Sequence, residues 1–310
     1  MTTAPYDAII IGGGAAGLSA GLVLARAQAS VLLIDAGEPR NAPAAEMHGF
    51  ISRDGMAPAD FLETGRREVV GYGGTIRAAS VETVDRRPDG IFAVTLSGGA
   101  IEFGRALLVT TGLTDEVPFI PGVPDRWGTL VHHCPYCHGF EVLGKEILVL
   151  GGDAHEMSLK QAGLLSSFSE RVTLVTNGMQ LAAIERARLD ALGVRVHEGI
   201  VSGITGRPGT LDGVELTDGV AIPGEAVFIA PRQRPNDALL RALGCATDPV
   251  TSLVAADQFG QTSVRGVWAA GNVVTPTAQV ITAAGAASAS AIAINGWLLE
   301  RKLTHVTAHN

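Results

Sequence analysis

Ile9-Ile10-Ile11-Gly12-Gly13-Gly14-Ala15-Ala16-Gly17 decides the fold. The apolar run from Tyr6 to Ile11 reads as a buried strand, the glycines as the turn that ends it, and Ala15 to Ala27 as the following helix. A second apolar run, Val31 to Ile34, ends at Asp35 and completes a β-α-β unit. Inside it lies the dinucleotide pattern Gly12-x-Gly14-x-x-Gly17. Gly12 permits the tight turn, Gly14 lets the backbone approach a pyrophosphate, and Gly17 lets helix and strand pack closely. The helix start at Ala15 and Ala16 offers N–H donors and a partial positive charge to an anion. Asp35, about twenty residues on, stands where a carboxylate accepts from ribose hydroxyls.

A related unit recurs about 140 residues later, with strand Glu146 to Leu150, helix His155 to Phe168 and strand Val172 to Val175. Between the two units the sequence predicts a helix over Pro58 to Val70 and strands over Thr75 to Val84, Ile91 to Leu96 and Ala106 to Thr110. A last strand, Val267 to Ala270, precedes a long small-residue helix from Ala278 to Leu299. This is an α/β chain of two Rossmann-like, three-layer ββα dinucleotide-binding domains. The expected division is 1–113 with 246–310 for the first domain, split in sequence around a central domain of 114–245.

With 310 residues, 46% hydrophobic and 17% charged, the chain has ample core material for two domains. A net charge of −8 offers no basic face for nucleic acid or anionic lipid. Asp7 and the glycine turn argue against a signal peptide, and the Ser, Thr, Gly and Asn scattered through 278–299 favour a close-packed helix over a membrane span. The expected location is cytoplasmic. Only three cysteines occur, two of them in Cys134-Pro135-Tyr136-Cys137, so the chain is no disulfide-stapled scaffold. A CxxC flanked by His132, His133 and His138 suits either a redox pair or a zinc site; consecutive histidines lack a finger's separated second pair, which favours redox use and no metal. His138 has the chemistry to accept a thiol proton near neutral pH. Cys245 reads as a small buried hydrophobe.

The chain resembles the low-molecular-weight thioredoxin reductases, FAD-dependent pyridine-nucleotide disulfide oxidoreductases, over nearly its whole length. The resemblance is carried by the N-terminal glycine pattern, Thr110-Thr111-Gly112, the CxxC and Gly266-Val267-Trp268-Ala269-Ala270-Gly271. It implies the thioredoxin reductase architecture, FAD as cofactor, a homodimer, and contacts to FAD from Thr111, Gly112 and Gly271. It further implies that Cys137 faces the flavin and that Cys134 exchanges with substrate. Where the family has an aspartate holding a ribityl hydroxyl this chain has Asn272, and where the family has an aspartate proton donor it has His138.

The second β-α-β unit would hold NADPH in an ordinary reductase. Here Gly151-Gly152-Asp153-Ala154-His155-Glu156 puts carboxylates where the second and third glycines belong, and these repel a pyrophosphate. No arginine pair follows Val175 to clamp a 2′-phosphate; Arg186 and Arg188 read as a solvated helix face. Together with Cys-Pro-Tyr-Cys-His-Gly-Phe-Glu, Gly271-Asn272 and Ala278-Gln279-Val280, this is similar to the thioredoxin-reductase-like dithiol oxidases of gliotoxin and holomycin biosynthesis. That likeness implies oxidation of a small-molecule dithiol with O2 as acceptor, and places Gln279 and Val280 near the flavin. The alternatives are a thioredoxin-disulfide reductase fed by NADPH or another reduced donor, and a flavin-binding sensor whose CxxC switches a partner surface.

Overall fold

The computed structural model describes residues 4–307. The chain divides into two compact units, one of 1–42, 58–114 and 234–310, the other of 43–57 and 115–233. The return to the first unit thus comes at Arg234, ahead of the expected 246, and residues 43–57 belong with the second unit. Two short strands, Leu113–Glu116 and Arg232–Pro235, pair where the chain leaves and re-enters the first unit.

In the first unit a seven-stranded sheet runs Thr75–Ala78, Val31–Asp35, Tyr6–Ile11, Ile101–Val109, Phe92–Leu96 and Val81–Arg86, with Val267–Ala269 also on Ile101–Val109. The expected strand from Thr75 to Val84 is two strands. Thr75–Ala78 pairs in parallel with Val31–Asp35, whereas Val81–Arg86 turns to pair antiparallel with Phe92–Leu96. Period-two alternation builds two cores. Ala8, Ile10, Leu33 and Leu108 face the helices Ala15–Arg26, Pro58–Gly71 and Val280–Thr307. Ile9, Ile11, Leu32 and Leu107 face Phe92, Val94 and Leu96. Cys245 lies in this second core, 7% exposed, with burial raising its thiol pKa.

The second unit repeats the plan. A parallel sheet, Arg195–His197, Val172–Val175, Ile147–Leu150, Ala226–Ile229 and Val131–His132, packs the helix His155–Leu165 on one face through Ile147, Val149 and Leu165. Its other face packs Leu148 and Leu150 against Val201, Val214 and Leu216 of an antiparallel meander spanning 201–223. Among the described residues one helix is long and apolar enough to cross a membrane, the segment from Val280. It buries Ala283, Ala284, Ala287, Ser290, Ala291 and Ile294 in its own unit.

Candidate active site

The first unit's glycine turn is shaped by close backbone approach. Gly12 has φ +108°, and a Cβ there would sit 2.5 Å from the Thr110 carbonyl oxygen. At Gly17 a Cβ would lie 1.9 Å from the Gly12 oxygen, so the helix approaches the turn only without a side chain. Gly14 faces open space, with nothing within 4 Å of where a Cβ would stand. No side chain caps the helix beginning at Ala15, which leaves the first-turn N–H groups of Ala15, Ala16 and Gly17 for an anion. Asp35 accepts from the Gly13 N–H at 3.1 Å and pairs with Arg66 at 3.2 Å. Gly13 is sterically required as well, since a Cβ there would meet the Asp35 side chain at 2.5 Å. Neither Gly13 nor Arg66 carried a sequence signal beyond its element.

The other predicted cofactor positions gather round the same helix start. Gly271, φ +78°, lies so close that a Cβ would be 3.1 Å from Ala16 Cβ. Asn272 next to it donates from Nδ2 to the carbonyls of Thr275, Pro276 and Ala278 at 3.1, 3.0 and 2.9 Å. Three acceptors fix the orientation of the amide. The nitrogen is therefore committed to holding the turn ahead of Gln279 and Val280, and Oδ1 is the atom able to accept from a ribityl hydroxyl. The two Nδ2 hydrogens are shared among these three carbonyls and a carboxylate has none to give, so the Asn-for-Asp difference is a structural one as well as a change of charge. Thr111 and Gly112 are organised by Asn236, which the sequence did not single out: Thr111 Oγ1 donates to its carbonyl at 2.7 Å, and its N–H donates to the Gly112 carbonyl at 3.0 Å. The cradle has the turn, the donors and the carboxylate that a dinucleotide such as FAD requires.

The redox pair lies in the second unit. Cys134 is extended (φ −116°, ψ 108°) at the end of the Val131–His132 strand, and Pro135 opens a one-turn helix, Pro135–His138. The Cys137 and His138 N–H groups both return to the Cys134 carbonyl, at 3.1 and 3.2 Å. This brings the two Cα atoms to 5.2 Å, and the cysteines form a disulfide. Gly139 makes the turn possible, since a Cβ there would be 2.5 Å from the Pro135 oxygen and 2.8 Å from the Phe168 ring. Both cysteines are partly exposed and Tyr136 is on the surface.

His138 stacks on His132, ring centroids 4.2 Å apart. Burial lowers the pKa of His138, opposed by the nearby charge of Glu141, and burial with the neighbouring histidines takes His132 down to about 3. Both are neutral at pH 7. His138 is thus a weaker base than the ordinary imidazole expected from sequence, because its charged form has lost solvent. Its buried Nδ1 has no hydrogen-bond partner among the described residues, and neither has that of His132. Gln161 and His48 were not foreseen, and Trp127 was assigned no role. Gln161, buried, donates to the His133 and Ile229 carbonyls at 2.6 and 3.2 Å and so fixes the strand end that delivers Cys134. His48 approaches Asp54, Glu141 and Glu46 at 3.4, 3.5 and 3.7 Å, tying 43–57 to the turn after the redox pair. Trp127 stacks on His133 at 5.8 Å. Among the described residues no cluster of His, Cys, Asp and Glu is arranged to hold a metal ion.

The second dinucleotide turn departs from the first residue by residue. Gly151 remains obligatory, since a Cβ would meet the Thr176 oxygen at 2.2 Å. Asp153 and Glu156 are exposed at the start of the helix His155–Leu165. His155 Nε2 lies 2.9 Å from Glu185 Oε1, bridging this turn to the helix Ala183–Ala191. Asn177, beyond the strand end where the first unit has Asp35, donates to the Gly151 carbonyl at 3.1 Å and accepts from the Val201 N–H at 3.0 Å. It closes the unit on itself. Arg186 pairs with Glu198, in keeping with a solvated face.

Residues 6–291 match the pyridine nucleotide-disulphide oxidoreductase family. The thioredoxin reductase sirT of Leptosphaeria maculans is 31% identical over 95% of both chains, and the thioredoxin reductase tcpT of Claviceps purpurea (strain 20.1) is 32% identical over 86% of both. Among solved structures, that of HlmI has a TM-score of 0.96 at 44% identity, covering 98% of this chain and 96% of its own. An oxidoreductase from Agrobacterium tumefaciens has a TM-score of 0.88 at 36% identity, covering 96% and 99%. With a glycine cradle in one unit and a disulfide-bonded cysteine pair in the other, the chain belongs to the pyridine nucleotide-disulphide oxidoreductases and is a thioredoxin-reductase-like, FAD-dependent thiol/disulfide oxidoreductase.

Proposed function

We propose that the enzyme is a dithiol oxidase, closing a disulfide in a small molecule and passing the electrons to O2 in the cytoplasm. The observation that carries this reading is the second dinucleotide turn. Exposed Asp153 and Glu156 oppose a pyrophosphate, the His155 to Glu185 bridge spans the turn, and Asn177 uses both ends of its amide on the protein's own backbone. A chain with an intact redox pair and a poor nicotinamide site is best supplied with electrons by its thiol substrate.

In this mechanism a substrate thiolate attacks Cys134 Sγ of the oxidised pair, forming a mixed disulfide and releasing Cys137 as thiolate. Neutral His138 accepts the thiol proton. Its lowered basicity makes it quick to give that proton up again, which suits a relay better than a proton store. The substrate's second thiol then attacks its own sulfur in the mixed disulfide, so the cyclised product leaves and both cysteines are reduced. Cys134 and Cys137 then close their disulfide again, giving up two electrons and two protons; FAD, held at the glycine cradle, would supply the two-electron acceptor for this and would pass the electrons on to O2 as peroxide. Gln161 and Gly139 keep Cys134 and the turn in place throughout.

The test is an anaerobic titration of the yellow protein, with absorbance near 450 nm followed. A small dithiol is expected to bleach the flavin stoichiometrically and NADPH to leave it oxidised. Bleaching by NADPH with no response to any dithiol would instead support the thioredoxin reductase reading, the activity for which sirT and tcpT are named.

A further inference from the structure

The first unit carries a cleft of about 370 Å³ whose lining includes Arg86, Arg265 and Arg301 with Asp89, Trp297 and Glu300. It shares no residue with the glycine cradle. The arginines come from three distant stretches: the end of the strand Val81–Arg86, the turn before Val267, and the last helix. Among the described residues none of the three guanidiniums has a carboxylate partner. Asp89 is already engaged by Arg87 at 3.3 Å, and neighbouring Arg105 by Asp7 at 3.1 Å. Three positive groups therefore share the cleft with two carboxylates, Glu300 and the already paired Asp89, in a chain whose net charge is −8.

Two of the guanidiniums are also pre-positioned by ring contacts. Arg301 lies over the Trp297 ring, 4.7 Å from its centroid, and Trp297 is held edge-on against buried Trp268 at 5.4 Å. Arg86 lies 5.8 Å from the Phe92 ring. Burial, and the like charges of Arg265, Arg105 and Arg86, pull Arg301 below the ordinary guanidinium range. Like charges gathered without compensation are relieved by an anion, and guanidinium forks match phosphate oxygens in geometry. A monoanion gains little beside Glu300, whereas a diphosphate brings charge enough for all three arginines. The cleft volume is within the range of small-molecule sites.

We infer that this cleft binds a small soluble anion carrying two or more phosphate groups. The probe is inorganic pyrophosphate, titrated calorimetrically into the FAD-loaded enzyme with tryptophan emission as a second readout. Saturable binding of one pyrophosphate per chain is expected, without change in flavin absorbance. Arg265→Gln and Arg301→Gln should each weaken it about tenfold or more, with Arg301→Lys intermediate because it keeps charge but loses the fork. Arg265 is exposed, so Arg265→Gln tests the site even if Arg301→Gln fails to fold. No saturation at millimolar pyrophosphate, or equal binding by both glutamine variants, overturns the proposal. So does capture on anionic phospholipid vesicles by a protein that ignores pyrophosphate.

Discussion

Residue by residue, the chemistry rests on positions where one atom decides the outcome. Gly17→Ala places a methyl 1.9 Å from the Gly12 oxygen, and the variant is expected to purify colourless, as checked by flavin absorbance. Asn272→Asp removes the two N–H groups shared among three carbonyls and sets a carboxylate against those oxygens. A loss of about 1 to 3 kcal/mol in stability is expected from denaturant melts, together with weaker FAD retention. Cys137→Ser should keep its yellow colour and lose dithiol-dependent peroxide formation; full activity there would sink the oxidase scheme. Much of this scale was legible in sequence, because Gly12, Gly17, Asp35 and the cysteines obey spacings set by backbone chemistry. Arg66, Asn236, Gln161 and His48 were not. Their roles depend on long-range pairings, and nothing in the local sequence around an arginine on an amphipathic helix or a lone glutamine announces its partner.

Among the elements, the buried histidine strand has a measurable signature. His132 titrates near 3 when folded and about 6.5 when unfolded, so its full contribution to stability is present above about pH 6.5. As pH falls below that, the unfolded chain takes up the proton first, and stability drops by about 1.4 kcal/mol per pH unit until the folded pKa is reached. His138, also depressed, adds a loss of the same sign. His132→Phe, fitted between His138 and Phe228, should flatten the dependence between pH 6.5 and 4, read from melts across that range. Strong apolar runs such as Tyr6–Ile11 and Val172–Val175 were readable to within a residue. The meander over 201–223 was not, because Gly203, Gly206, Gly209 and Gly213 interrupt its alternation and its strands gain their stability from Leu148 and Leu150 beneath them.

For the whole molecule, duplication gives each unit its own sheet and its own pair of cores. Calorimetry of the apoprotein is expected to show two transitions, with added FAD raising only the one belonging to the unit of the glycine cradle. A single transition that shifts as one would contradict this. The sequence revealed the repetition but misplaced the return to the first unit, because the crossover strand Arg232–Pro235 is polar and short. The Asn177 clasp carries a consequence for engineering. If the enzyme is the oxidase proposed, installing a nicotinamide site would require discharging Asp153 and Glu156, freeing His155 from Glu185, and finding new partners for the Gly151 carbonyl and the Val201 N–H. On the oxidase reading no single codon change accomplishes this, and a hydride-fed variant of the second unit stands several simultaneous substitutions away.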